Sequence, residues 1–154
     1  MDSRTFQRNI GALDAVFAFT AEAFARQGID PGVLQTVDFA VEELFTNMVK
    51  YSTTTTKPVR VEIVPLDDGV EVTLIDCGVE PFDVTKSPDA DITLPIEQRH
   101  PGGLGLHLIR RMLDSIEYEY TKESRQSRIT FRKTRTGAPA SRRATDKDGT
   151  NASD

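Results

Sequence analysis

The chain has 154 residues, enough for one compact domain with its own core and short of a second full-sized one, so one activity is expected. Its 19 Lys and Arg against 24 Asp and Glu give a formal charge of -5, which argues against a general nucleic-acid or anionic-membrane binder but leaves room for a local basic patch. A single cysteine, no apolar run near the ~20 residues that span a bilayer, and a start, Met1-Asp2-Ser3-Arg4, unlike a signal peptide lead us to expect a soluble cytoplasmic protein.

Arg4 to Asn9 reads as a short edge strand. Ile10 to Gln27 then carries Leu13, Phe17, Thr20/Ala21 and Phe24 at helical spacing, with Gly28 as the stop. A second helix opens on Asp30 as N-cap and Pro31 at its first position and runs to about Tyr51, its core stripe being Val37, Val41, Leu44 and Met48. Alternating Val59, Val61 and Ile63, then Asp67-Asp68-Gly69, then Val70, Val72 and Leu74 predict a β-hairpin in which each strand buries one face.

From Val79 to Gly103 periodicity disappears and Pro81, Pro88, Pro95 and Pro101 collect. So long a loop inside a compact domain is expected to be a lid or binding loop. Leu104, Leu108, Ile109, Met112 and Leu113 predict a third helix, and Ile116, Tyr118 and Tyr120 pair with Ile129 and Phe131 in a second hairpin turning around Ser124. After about Thr134 no large apolar residue follows, so residues 135–154 are expected to be a disordered tail behind a domain of residues 1–134. Helices packed on one face of a mainly antiparallel sheet make this an α+β fold, a two-layer sandwich. The strict strand-helix alternation of a doubly wound fold is missing.

Three segments could carry chemistry. On the second helix Glu43 and Asn47 stand at i and i+4 with Lys50 three further on, so they project from one stripe, while Glu42 points about 100° further round. A carboxylate can take a proton from a hydroxyl, an amide oxygen suits Mg²⁺, and a lysine suits phosphate; taken alone, the same stripe is more often an ordinary solvated flank with a helical ion pair. Asp76-Cys77-Gly78 ends a strand pattern. Its carboxylate suits an exocyclic amino group such as adenine's and its glycine a close approach or an unusual turn, although Asp and Gly are also the expected residues of any turn. Gly102-Gly103-Leu104-Gly105 lies where a loop enters a helix, so unpaired N–H groups and the positive end of the helix dipole face outward and suit phosphate oxygens. Ordinary capping needs one glycine, not three in four residues.

The order of Val41-Glu42-Glu43-Leu44-Phe45-Thr46-Asn47, Asp76-Cys77-Gly78-Val79-Glu80-Pro81-Phe82-Asp83 and Gly103-Leu104-Gly105-Leu106 resembles the GHKL superfamily, whose ATP site is the Bergerat fold. Within it, residues 5 to 134 look most like the small anti-sigma factor serine/threonine kinases of bacterial partner-switching systems. The resemblance implies ATP and Mg²⁺ as ligands, Asn47 as the Mg²⁺ ligand, Glu43 as general base and Asp76 as the partner of the adenine amino group. It also implies that Gly78, Gly103 and Gly105 shape the base pocket and cradle phosphates, and Lys50, Phe82 and Leu104 are expected as further nucleotide contacts. The implied partners are a STAS-type anti-anti-sigma protein, a sigma factor and a second copy of the chain. Many relatives carry a basic residue directly before the glycines; here Pro101 and Gly102 intervene, leaving Lys50 or Arg99 to neutralise phosphate. A second reading is a module that holds ATP and switches partners without transferring phosphate. A histidine kinase would need a phospho-accepting helical domain for which this chain has no room, and gyrase-like ATPases need a following transducer domain.

Overall fold

Strands β1 (Asp2–Phe6), β2 (Val59–Leu66), β3 (Gly69–Cys77), β4 (Ser115–Thr121) and β5 (Gln126–Thr134), with helices α1 (Leu13–Gln27), α2 (Leu34–Tyr51) and α3 (Gly103–Met112), make up the computed structural model. It describes residues 1–52, 55–81 and 103–137, so residues 82–102 of the expected lid and the tail beyond residue 137 lie outside the described residues. The strands form one antiparallel sheet in the order β1-β2-β3-β5-β4. Side chains alternate across a pleated sheet, so Val61, Ile63, Val72, Leu74, Ile129 and Phe131 share one face, and all of them enter a single core with the helices. The α+β reading is borne out.

Helix α2 lies at the centre, packed against both α1 and α3 and against β3. Its buried side is therefore wider than the four-residue stripe read from the sequence: Val37, Val41, Leu44 and Met48 are all buried, and so are Ala40 and Phe45. Asp30 caps the entry, its carboxylate accepting from the Gly32 N–H at 2.8 Å, but Pro31 opens a short 3-10 turn, Pro31–Val33, before α2 itself begins. Gly28 ends α1 in the left-handed conformation, φ 63°.

Four sequence expectations need correction. The first strand ends at Phe6 rather than Asn9, because the Asn9 N–H turns back onto the Gln7 carbonyl at 2.9 Å and the chain leaves the sheet. On α1 the buried residues are Val16, Phe19, Thr20, Ala23 and Phe24, a stripe rotated from the Leu13–Phe17 one; Phe19 sets the phase by packing on Phe6, with ring centroids 5.6 Å apart, under the Arg4 guanidinium. Strand β3 buries both faces, since it is central and its outward Glu71 and Thr73 are covered by Arg132 at 2.8 Å and Thr130 at 3.1 Å. Among the described side chains of α3 the buried apolar ones are Leu106 and Ile109, with Leu113 buried just past its end, whereas Leu108 and Met112 are 40% and 37% exposed. The second hairpin pairs Ile116 with Phe131 and Tyr118 with Ile129, as the pattern requires.

Candidate nucleotide site

A cavity of about 270 Å³ opens between the C-terminal half of α2 and the ends of β3 and β5. Leu44, Met48, Val79 and Ile129 give it apolar walls, while Asn47, Asp76 and Ser127 supply polar atoms. This is the usual build of a small-molecule site: apolar surface for the body of a ligand and a few fixed polar groups for its orientation.

Asp76 reaches this cavity because of strand parity. It shares the helix-facing side of β3 with Val72 and Leu74, and in register it sits opposite Ser127 on β5. Its side chain is 1% exposed. A carboxylate so deeply buried requires a partner, and the sequence reading missed which one: Arg8, itself 7% exposed, grips both carboxylate oxygens, Nη2 on Oδ1 and Nη1 on Oδ2 at 3.4 Å. The same guanidinium donates from Nη1 to the Met48 carbonyl at 3.0 Å and from Nε to the Lys57 carbonyl at 3.1 Å. Arg8 thus joins the end of β3 to the last turns of α2 and to the segment entering β2. Burial holds its pKa below the ordinary value, with Cys77 acting in the opposite direction.

Beyond Asp76 the chain turns at Gly78, φ 73°, a left-handed conformation that a side chain would strain, and a Cβ there would sit 3.0 Å from the Thr55 hydroxyl. Val79 is then fixed at both ends. Its N–H donates to the Arg125 carbonyl at 3.0 Å, and its carbonyl accepts from the Tyr120 hydroxyl at 2.7 Å.

On α2 the polar stripe is graded rather than uniform. Asn47 is 9% exposed and lines the cavity, Glu43 is half-buried one turn away, Lys50 is exposed and outside the cavity lining, and Glu42 faces solvent. The Asn47 Nδ2 atom is buried without a hydrogen-bond partner among the described residues, an arrangement that costs stability until something accepts from it. The Glu43 carboxyl is pushed above the ordinary glutamate range by burial, and next by the Glu42 charge, against an opposing pull from Lys50.

Glu43 also meets α3. Gly103 and Leu104 open that helix, and at Gly105 a Cβ would collide with the Glu43 carboxylate, lying 2.8 Å from Oε1 and closer still to Oε2. The glycine is what lets the carboxylate stand against the first turn of α3, where helix N–H groups favour negative charge. Phe82 and Arg99 lie outside the described residues.

An amide oxygen beside the cavity, such as that of Asn47, is a ligand type that magnesium takes when phosphates and water supply the rest. Among the described residues no group of three or more His, Cys, Asp or Glu side chains could hold a metal ion, and Mg²⁺ at phosphate sites is held by one or two protein oxygens plus phosphate and water rather than by a protein cage. The Asn47 amide fits that part.

The sequence model of the histidine kinase-like ATPase domain matches residues 6–133. The chain belongs to this family, which lies in the GHKL superfamily, and the recognition made from the motifs is borne out at that level. Among solved structures the chain is similar to the Acinetobacter baumannii histidine kinase AdeS, at 14% identity over 87% of this chain and 68% of that one, with a TM-score of 0.43. No curated protein matches it. No helix among the described residues is long and apolar enough to cross a membrane.

Proposed function

We propose that the chain binds Mg-ATP in this cavity and acts as a serine/threonine kinase on a STAS-type anti-anti-sigma protein, holding a sigma factor when that partner is phosphorylated. The observation that carries the ATP reading is the convergence of Asn47 and Asp76 on one cavity. In this reading Asp76 accepts from the adenine amino group and Asn47 would hold Mg²⁺ through its amide oxygen, the ion supplying charge neutralisation at the phosphates when bound. Glu43 carries the step to kinase. It takes the proton of a partner serine or threonine as that oxygen bonds the γ-phosphorus and the bond to ADP breaks. A half-buried carboxyl with a raised pKa is a better proton acceptor at neutral pH than a solvated one. Phosphoryl transfer depends mainly on positioning and charge neutralisation, which a domain of this size can provide. The motif sequence Asp76 to Asp83 supports the anti-sigma assignment over other members of the superfamily, and a homodimer in the cytoplasm belongs to the same proposal.

Intact-mass measurement of a STAS-domain protein from the same genome, incubated with the chain and Mg-ATP, tests this. A gain of one phosphate that Glu43→Gln abolishes is expected. No gain despite ATP binding would favour the non-catalytic, nucleotide-gated module.

A further inference from the structure

We infer that Arg8 is a positioning residue for nucleobase selection: it stands behind Asp76, outside the cavity, and fixes the carboxylate in the charged, acceptor-only state and orientation that reads a purine amino group. The inference rests on the cavity being a nucleotide site. Asp76 lines the cavity and Arg8 does not, although Arg8 touches both carboxylate oxygens. The guanidinium therefore holds the carboxylate without itself forming part of the cavity wall. Each carboxylate oxygen has two lone pairs, so acceptor capacity toward the cavity survives.

The remaining contacts explain why this is a fork and not merely a charge. Nε, Nη1 and Nη2 are all used, and two of the acceptors are the backbone carbonyls of Met48 and Lys57. Those carbonyls hold the plane of the guanidinium, and the guanidinium in turn holds the plane of the carboxylate. Met48 also lines the cavity, so the base-facing wall from α2 and the reading carboxylate from β3 are locked to the same group. A lysine at this position would keep the charge but lose the planar, multidentate geometry. With no cation at all, a carboxylate this buried favours its protonated form, which turns the acceptor into a donor and removes the preference for an amino group.

The test compares ATP with inosine triphosphate, which carries a carbonyl oxygen where ATP carries the amino group, by titration calorimetry with Mg²⁺. The wild-type protein is expected to prefer ATP by at least about tenfold, the range of a hydrogen bond to a charged group. Arg8→Met is expected to bring the ratio to about one, and Arg8→Lys to within about threefold of one. A purely structural Arg8 would weaken both nucleotides equally and leave the ratio unchanged, so an unchanged ratio in either folded variant overturns the assignment. Arg8→Lys decides the matter if Arg8→Met does not fold. A wild-type protein that binds neither nucleotide overturns the nucleotide-site reading, and one that binds both equally overturns the reading of the base by Asp76 and with it the inference, so each is distinguished from a failure of Arg8 alone.

Discussion

Gly105→Ala separates stability from activity at one atom. Alanine replaces glycine inside α3, which by intrinsic propensity favours the helix by roughly 1 kcal/mol. The new Cβ, however, falls on the Glu43 carboxylate, 2.8 Å from Oε1 and nearer to Oε2, so Glu43 must leave. It can do so cheaply because it is half-buried and its carboxylate is the far end of a flexible side chain; a displaced rotamer costs about 0.5–1.5 kcal/mol. The two effects nearly cancel, and urea denaturation should show a change within about 1 kcal/mol. Phosphoryl transfer to the partner, followed in single turnovers at saturating Mg-ATP so that affinity is not the variable, should fall by ~10²-fold or more, the usual loss for a displaced general base. Wild-type transfer by a stable Gly105→Ala protein would refute the argument that Glu43 works from this position. A loss of stability above ~3 kcal/mol would show instead that the contact is rigid overpacking.

Removing Arg8 leaves Asp76 buried without its cation, to stand as an unpaired charge or be neutralised at a cost, so Arg8→Met should cost about 3–5 kcal/mol in urea melts, a large part of a domain's stability. The Arg8→Met/Asp76→Leu double variant should recover much of that loss, and additive costs would contradict the pairing. Asn47→Ala should leave stability unchanged or raise it by up to ~1 kcal/mol, since the Nδ2 it removes is buried without a partner; a melt shifted strongly downward would show that the amide is structural. Glu43 holds its proton to higher pH when folded than its ordinary 4.5. Between those two values the native state therefore binds more protons than the unfolded one, so stability falls as pH rises through the window, and Glu43→Gln should flatten that slope. The rate of phosphoryl transfer should rise over the same window as the carboxylate forms, and a rate that is flat there would remove Glu43 from the proton step.

The periodic elements were legible because burial follows residue type closely there: Val59-Val61-Ile63 and Val70-Val72-Leu74 face the core as their alternation demands. The phase of α1 was not, because two neighbouring apolar stripes compete and the choice between them is made by Phe6 and Arg4, which are distant in sequence from Phe19. Glu43, Asn47, Asp76 and Gly105 could be picked out because short motifs place them. What no motif showed is that Asn47 is buried and Lys50 exposed on the same stripe, a difference set by how α2 sits under α3 and β3. Arg8 was illegible for a similar reason. It lies in the polar run Gln7-Arg8-Asn9 with nothing local to distinguish it, and its meaning comes from Asp76, 68 residues away.

The central claim is that Asn47 and Asp76 define a Mg-ATP site, and ATP affinity measured with and without Mg²⁺ in the wild-type and Asn47→Ala proteins tests it most directly. The account predicts one ATP per chain, affinity strengthened by Mg²⁺ in the wild type, and loss of most of that strengthening in a folded Asn47→Ala protein. ATP that fails to bind the wild-type chain, or a magnesium effect equal in both proteins, would contradict it.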